Sequence, residues 1–472
     1  MSLARVLEAP IETIANRTDF KTMDSLAEQK PMPALLVTIS GHRSLIFLNA
    51  TLIAACCISL VFVSRYYSDY YISFSVTTLP GAIALLFVFA LASLLFAFAK
   101  STFGYIVGFY SYIMIAGYLW LNHFSELTYN HRLAALSAAT SAIAFLLPSL
   151  FICSPIRRIY TLSLSAMDRL LTIILLLSAT TILMGASHGF KLVGFEQIYK
   201  YRAELDYPTY LNYLIGITSN ALLPFAFACF AGRRDIWRAS ATILLLLMFY
   251  PITQSKLALL TPFWLLAILA LSSWLNFKLT VALSLLVPIS IGLLLIALFE
   301  MEILPYSMTF PFFGLVNFRM IAIPSLAMDY YNTFFFSHPV THFCQIRLLK
   351  PLVDCPYREQ LATVIYNAFG IGGQFNASLF ATEGIASVGA LFAPLTAFAA
   401  GLVIAMGNRL SAGLQPQFIL ISTAVLVQAL LNVPLTTVLL SHGASLLFVL
   451  WYITPRDAFR RAADKPLPLP SS

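Results

Sequence analysis

Long apolar runs alternate with short polar punctuation along almost the whole chain. Runs of about 20 apolar residues recur, each long enough to cross a hydrocarbon core of roughly 30 Å. Hydrocarbon offers the backbone no hydrogen-bond partner, so such runs are predicted to be helices. The pattern predicts spans near 45–64, 78–99, 104–120, 133–152, 170–186, 210–230, 239–254, 257–275, 279–299, 384–406, 417–434 and 437–453. The seventh and eighth are parted only by Gln254, Ser255 and Lys256, with Pro251 and Thr253 just before. Two spans joined by a tight turn at Ser255–Lys256 fit that length better than one.

One long stretch breaks the pattern. Residues 300–383 carry Arg319, Asp329, Tyr330, Tyr331, His338, Arg347, Arg358 and Asn376 between two apolar runs. The expected fold is therefore an all-α integral membrane protein with about 12 transmembrane helices and a long outer loop containing short helices. Its expected organisation is a tail at 1–44, a membrane domain at 45–455 with outer loops 187–209 and 300–383, and a second tail at 456–472. The first tail carries charges from Arg5 to Lys30 without an apolar core, which does not fit a signal peptide.

Composition agrees: 60% of residues are hydrophobic and only 10% charged, which excludes a soluble domain. Lys and Arg resist translocation and so mark cytoplasmic loops. Lys100, Arg157, Arg158, Arg169, Arg233, Arg234, Arg238, Lys278, Arg409 and Arg456 all fall in one set of short connections or tails. Both termini are then cytoplasmic, and the long, chemically varied loops face outward. The net charge of +8 reads as topology, not as nucleic-acid binding.

Cys344 and Cys355 share the long outer loop and are either bridged or both free. No CxxC, HExxH or His/Asp cluster supports a metal site, and no cofactor is expected. Gly370–Gly373 is too short and isolated to be a phosphate loop or dinucleotide fingerprint. Gly104 and Gly108 form a GxxxG, read as a helix-packing contact.

The order of features from Gly189 onward resembles the bacterial oligosaccharide repeat-unit polymerases, the Wzy-type O-antigen polymerase group. The residues are Tyr201–Arg202 ending an outer loop and Gln254-Ser255-Lys256 between two spans. Arg319 then opens a short apolar run leading to Asp329-Tyr330-Tyr331 and Phe336-Ser337-His338-Pro339. Last come Asn376-Ala377 and Thr382-Glu383-Gly384. The similarity covers roughly the carboxy-terminal half; the first 180 residues share only hydrophobic spans. Phe336–Pro339 lacks the spacer residue of the group's pattern.

The resemblance implies an enzyme at the outer face of the bacterial inner membrane. It would join repeat units carried on undecaprenyl diphosphate, amid membrane lipids and beside a chain-length regulator protein. The leaving group is a diphosphate, so fixed cations are needed near the headgroups, and the planar Arg fork suits phosphate oxygens. Arg202 and Arg319 are assigned to a clamp, with Lys256 as a third cation; Glu383, His338 and Asp329 are candidate general bases. Tyr330, Tyr331 and Asn376 are assigned to sugar contact. Each has a plainer reading. Arg202 and Arg319 snorkel to headgroups, Lys256 is a loop lysine, Glu383 caps its own helix, His338 is a turn residue, and the tyrosines belong to an interfacial belt.

Two rival activities share this architecture. A lipid-linked oligosaccharide flippase or other transporter would show internal repeats and polar groups at mid-span, and neither is evident. An O-antigen ligase would use the same donor with a different acceptor.

Overall fold

The computed structural model describes residues 42–194, 205–346, 349, 351–371, 375 and 379–456. Every named element among them is a helix, and eleven helices are long and apolar enough to cross a membrane. In order they are α1 (His42–Tyr66), α2 (Leu79–Phe98), α3 (Phe103–Leu121), α4 (His131–Phe151) and α5 (Leu164–His188). Next are α6 (Thr209–Gly232), α7 (Ile236–Thr253), α8 (Lys256–Trp274), α9 (Phe277–Glu300) and α10 (Tyr306–Ser337). The short α11 (Leu361–Phe369) precedes α12 (Phe380–Ser411). The chain ends with α13 (Pro416–Leu430), α14 (Leu435–Leu440) and α15 (Ala444–Ile453).

The protein is thus an all-α multi-pass membrane protein, with α1 to α9 on the expected runs. The polar turn parts α7 from α8 as its residues predict: Thr253 ends one helix and Lys256 begins the next. Helix starts use polar caps: Thr102, Asn130, Ser163, Asp235 and Asn276 each accept a backbone N–H of the following turn.

α3 is the axis of the bundle, buried along its whole length. Its GxxxG is a packing contact. Gly104 meets Ser149 of α4 and Asn408 of α12, and Gly108 meets Leu146 of α4. A side chain at Gly104 would strike the Ser149 carbonyl, while Gly104 N–H donates to Asn408 Oδ1 at 2.6 Å.

Helix ends sort the molecule into two faces. One carries Lys100, Arg157, Arg158, Arg233, Arg234, Arg409 and Arg456, and is called the arginine-rich face here. The other carries the ends at Tyr66, Leu121, His188 and Glu300 and the long connections.

α10 is the principal departure from the expected short helices of the 300–383 loop. It is 32 residues of apolar helix, but both its ends meet the same long-loop face. Near its start Phe310 packs on Tyr66 and Phe299; near its end Tyr330 donates to the Tyr70 carbonyl at 2.9 Å. Between these points Asn317 reaches Ser59 and Ser325 reaches the Met114 carbonyl. Both partners lie about two turns, roughly 10 Å, below the ends of their helices. α10 therefore dips into the bundle and returns. Pro311, Pro324 and the π-wound stretch Gly314–Ala322 supply the bending.

α12 is also compound. Its first part, Phe380–Ala386, is π-wound, and Gly389 interrupts the helix with φ 77° and ψ 166°. Phe380 packs on Phe145 in the interior of α4, whereas Ala386 accepts from Thr341 N–H in the long-loop region. The first part thus rises to the face, and the second descends to Arg409. α13 returns, and α14 with α15 forms a last, broken passage.

Candidate functional site

Arg319 sits in the π-wound part of α10, and its neighbours fix where it points. Gly292 of α9 has no Cβ, which leaves room for the Asn317 side chain. Asn317 Nδ2 then donates to Ser59 Oγ at 2.9 Å and to the Ile289 carbonyl at 3.2 Å. Phe318 stacks flat on Tyr67, centroids 3.9 Å apart. With those two side chains locked into the bundle, Arg319 is left half-buried. It makes no hydrogen bond or ion pair with any described residue. A guanidinium in apolar surroundings without a counter-charge is costly, and such residues mark function more often than scaffolding.

Glu383 lies in the π-wound start of α12. Its Oε1 accepts from the backbone N–H and hydroxyl of Thr436 at 3.4 and 3.3 Å. Its Oε2 is buried with no hydrogen-bond partner among the described residues. The carboxylate therefore caps α14, and one of its oxygens is left without a hydrogen bond among the described residues. Tyr331 is near enough to Glu383 to interact with it electrostatically. Among the described residues, these two are predicted site residues that the fold brings together.

The other predicted residues are placed differently. Tyr330 and Tyr331 are fully buried, so neither ring is presented as a sugar platform or an interfacial belt. Tyr330 packs against Phe369 and Phe375, and Tyr331 against Phe335. His338 follows the last residue of α10 and is exposed. Its ring stacks on Phe334 at 4.0 Å and its Nδ1 meets the Phe334 carbonyl at 2.9 Å, the geometry of a turn residue. Lys256 is the half-buried first residue of α8. No polar contact joins Arg319 to Glu383, His338 or Lys256. Arg202 and Asn376 lie outside the described residues.

Asp329 is sealed. Ser125 Oγ donates to its Oδ2 at 2.6 Å and the Tyr129 hydroxyl donates to Oδ1. Burial, then the Asp329 charge, holds the Tyr129 phenol well above its ordinary range, so it stays a donor. Asn122, Asn332 and Tyr118 extend this buried network. A carboxylate satisfied from both sides and closed to solvent holds the 122–130 connection against α10 and leaves no oxygen free for a substrate.

Two residues escaped sequence reasoning. Thr436, partner of Glu383, carries no local signal at all. Gln254 was visible as part of the polar turn, but its state was not. It adopts left-handed backbone (φ 46°), and among the described residues its fully buried amide has neither donor nor acceptor bonded.

The loop after α10 is braced. Cys344 and Cys355 form a disulfide with Cα atoms 5.3 Å apart. Thr341 and His342 N–H donate to the Ala386 and Ser387 carbonyls at 2.8 and 3.0 Å, seating the loop on the bend of α12. Among the described residues no group of three or more His, Cys, Asp or Glu is placed to hold a metal ion. No protein-family model matches the chain, and no curated protein or solved structure does.

Proposed function

We propose that this protein is a membrane glycosyltransferase that extends a surface polysaccharide from undecaprenyl-diphosphate-linked repeat units, as the resemblance to the Wzy-type O-antigen polymerases implies. One observation carries the reading: Arg319, half-buried in the stretch of α10 that dips from the long-loop face, has no counter-anion among the described residues. A lipid diphosphate supplies the missing charge at that depth, and a planar guanidinium binds it through paired hydrogen bonds.

The chemistry follows from the charges. The bond between the anomeric carbon of the growing chain and its diphosphate oxygen breaks. A new bond forms from that carbon to a sugar hydroxyl of the incoming unit. Arg319 stabilises the charge gathering on the departing diphosphate. Glu383, with Oε2 uncommitted, accepts the hydroxyl proton. The Cys344–Cys355 bridge supports a periplasmic long-loop face, since disulfides persist in oxidising compartments.

The test is the glycan ladder of cells that depend on this chain, read with Arg319→Ala and Arg319→Lys. Loss of long chains in the Ala variant at normal membrane abundance, with partial recovery in Lys, supports the reading. A normal ladder from Arg319→Ala overturns it.

The break in α12 at Gly389 favours a second reading, because discontinuous helices are a mark of transporters. Loss of a flippase strands lipid-linked units on the inner leaflet, whereas loss of a polymerase leaves single units on the finished acceptor.

A further inference from the structure

The arginine-rich face holds a cluster that the proposed reaction does not use. Residues 152–163 run without helix between α4 and α5 and are sewn across the ends of α12 and α15. Ile159 N–H donates to the Tyr452 hydroxyl at 2.8 Å, that hydroxyl donates to the Arg157 carbonyl at 3.3 Å, and Leu162 N–H donates to the Ile453 carbonyl at 2.9 Å. Arg158 reaches from this strap to the Thr454 carbonyl at 2.7 Å and the Ala412 carbonyl at 3.4 Å. Arg456 donates to the same Ala412 carbonyl at 2.8 Å. Its guanidinium lies against Gly413, whose left-handed backbone (φ 85°) and missing Cβ leave room for it. Arg409 completes the group, its Nε donating to the Ser154 carbonyl at 3.1 Å.

Two guanidiniums therefore converge on one carbonyl, and a third holds the start of the same strap at Ser154. Helix carboxy-terminal carbonyls favour cations, which explains part of the arrangement. It does not explain the charge balance. Two other arginines on this face have carboxylates: Arg233 pairs with Asp168, and Arg238 with Asp235 at 3.5 Å. Arg158, Arg409 and Arg456 have none among the described residues. Each carbonyl bond also uses only one of the five N–H groups a guanidinium carries. Burial, and then the neighbouring Arg456 charge, lowers Arg158 from its ordinary pKa.

The strap and the first residue of α5 also present apolar side chains, two of them directly after Arg158 in the chain. Ile159 is 93% exposed, Tyr160 59% and Leu164 57%. A soluble anion has no use for them. A molecule with a phosphate and acyl chains satisfies both features at once.

We propose that Arg158, Arg409 and Arg456 form a binding site for the phosphate of an anionic phospholipid, with Ile159, Tyr160 and Leu164 against its acyl chains. The bound headgroup ties the 152–163 strap to the ends of α12 and α15. This site stands on the face opposite Arg319 and does not depend on the polymerase reading.

The experiment uses the full-length protein in phosphatidylcholine nanodiscs with and without phosphatidylglycerol, reading lipid occupancy by native mass spectrometry. Inorganic pyrophosphate serves as the soluble competitor. Arg158→Gln with Arg456→Gln should weaken phosphatidylglycerol retention about thirtyfold, at roughly fivefold per guanidinium at the headgroup surface. Arg158→Lys with Arg456→Lys should recover most of it. Ile159→Ser with Tyr160→Ser, which leaves every carbonyl contact in place, should also lose the lipid. Unchanged retention in the Gln or the Ser pair overturns the proposal, as does displacement of the lipid by pyrophosphate at equal concentration. If the Gln pair does not fold, the Ser pair decides alone.

Discussion

Asp329 and Ser125 lie 204 positions apart in the chain, yet they meet in a hydrogen bond of 2.6 Å. With Tyr129 on the other carboxylate oxygen, this contact fastens the 122–130 connection to the far end of α10. Removing the Tyr129 hydroxyl leaves a buried carboxylate short of a donor, which costs about 1.5–3 kcal/mol. Tyr129→Phe should lower the thermal unfolding midpoint clearly, and Ser125→Ala should do so by a similar or smaller amount. A double variant whose loss equals the sum of the two would show that they do not act through a shared carboxylate.

A variant of Glu383 separates its structural duty from the chemical one proposed for it. Glu383→Gln keeps an oxygen for Thr436 and so should hold α14 and the unfolding midpoint nearly unchanged. As a proton acceptor it fails, and long glycan chains should drop at least a hundredfold. Chain growth at the normal rate in Glu383→Gln would remove the residue from the reaction while leaving its role as a cap.

The seat of α10 rests on an absence of side chain. A Cβ at Gly292 would collide with Asn317, and overpacking of this kind costs about 1–3 kcal/mol. Gly292→Ala should therefore destabilise the protein and, by displacing the turn that carries Arg319, weaken lipid-diphosphate binding. Asn317→Ala in the same chain should restore much of the stability. If the double variant is no better than Gly292→Ala alone, the collision is not the cause.

Gln254 predicts a gain. Its buried amide has no partner among the described residues, a state that costs about 1–3 kcal/mol, and Met fills similar volume without polar atoms. Gln254→Met should raise the unfolding midpoint. A fall instead would mean that the amide is satisfied in the membrane by water or a ligand.

Much of this fold was readable because crossing a bilayer demands long apolar helices, and α1 to α9 obey that rule. The Ser255–Lys256 turn was readable for the same reason, since one helix of the combined length had nowhere to go. α10 was not. Asp329 and Asn332 read as loop residues because isolated polar groups in a helix look unaffordable until their partners are known. Those partners, Ser125, Tyr129 and Tyr118, lie about 200 positions away and leave no local trace. The site followed the same logic. Arg319 and Glu383 stood out as charges among apolar residues. Tyr330, Tyr331 and His338 also stood out, but their surroundings turned two into core rings and one into a helix stop.

The dip and return of α10 bears on how the chain is assembled. A segment that enters and leaves by one face cannot be delivered by stepwise translocation of successive helices. It needs a groove already lined by Ser59, Met114 and Ile289 before its asparagine and serine find acceptors. The helix that bears Arg319 therefore docks only once α1, α3 and α9 have come together to form its groove.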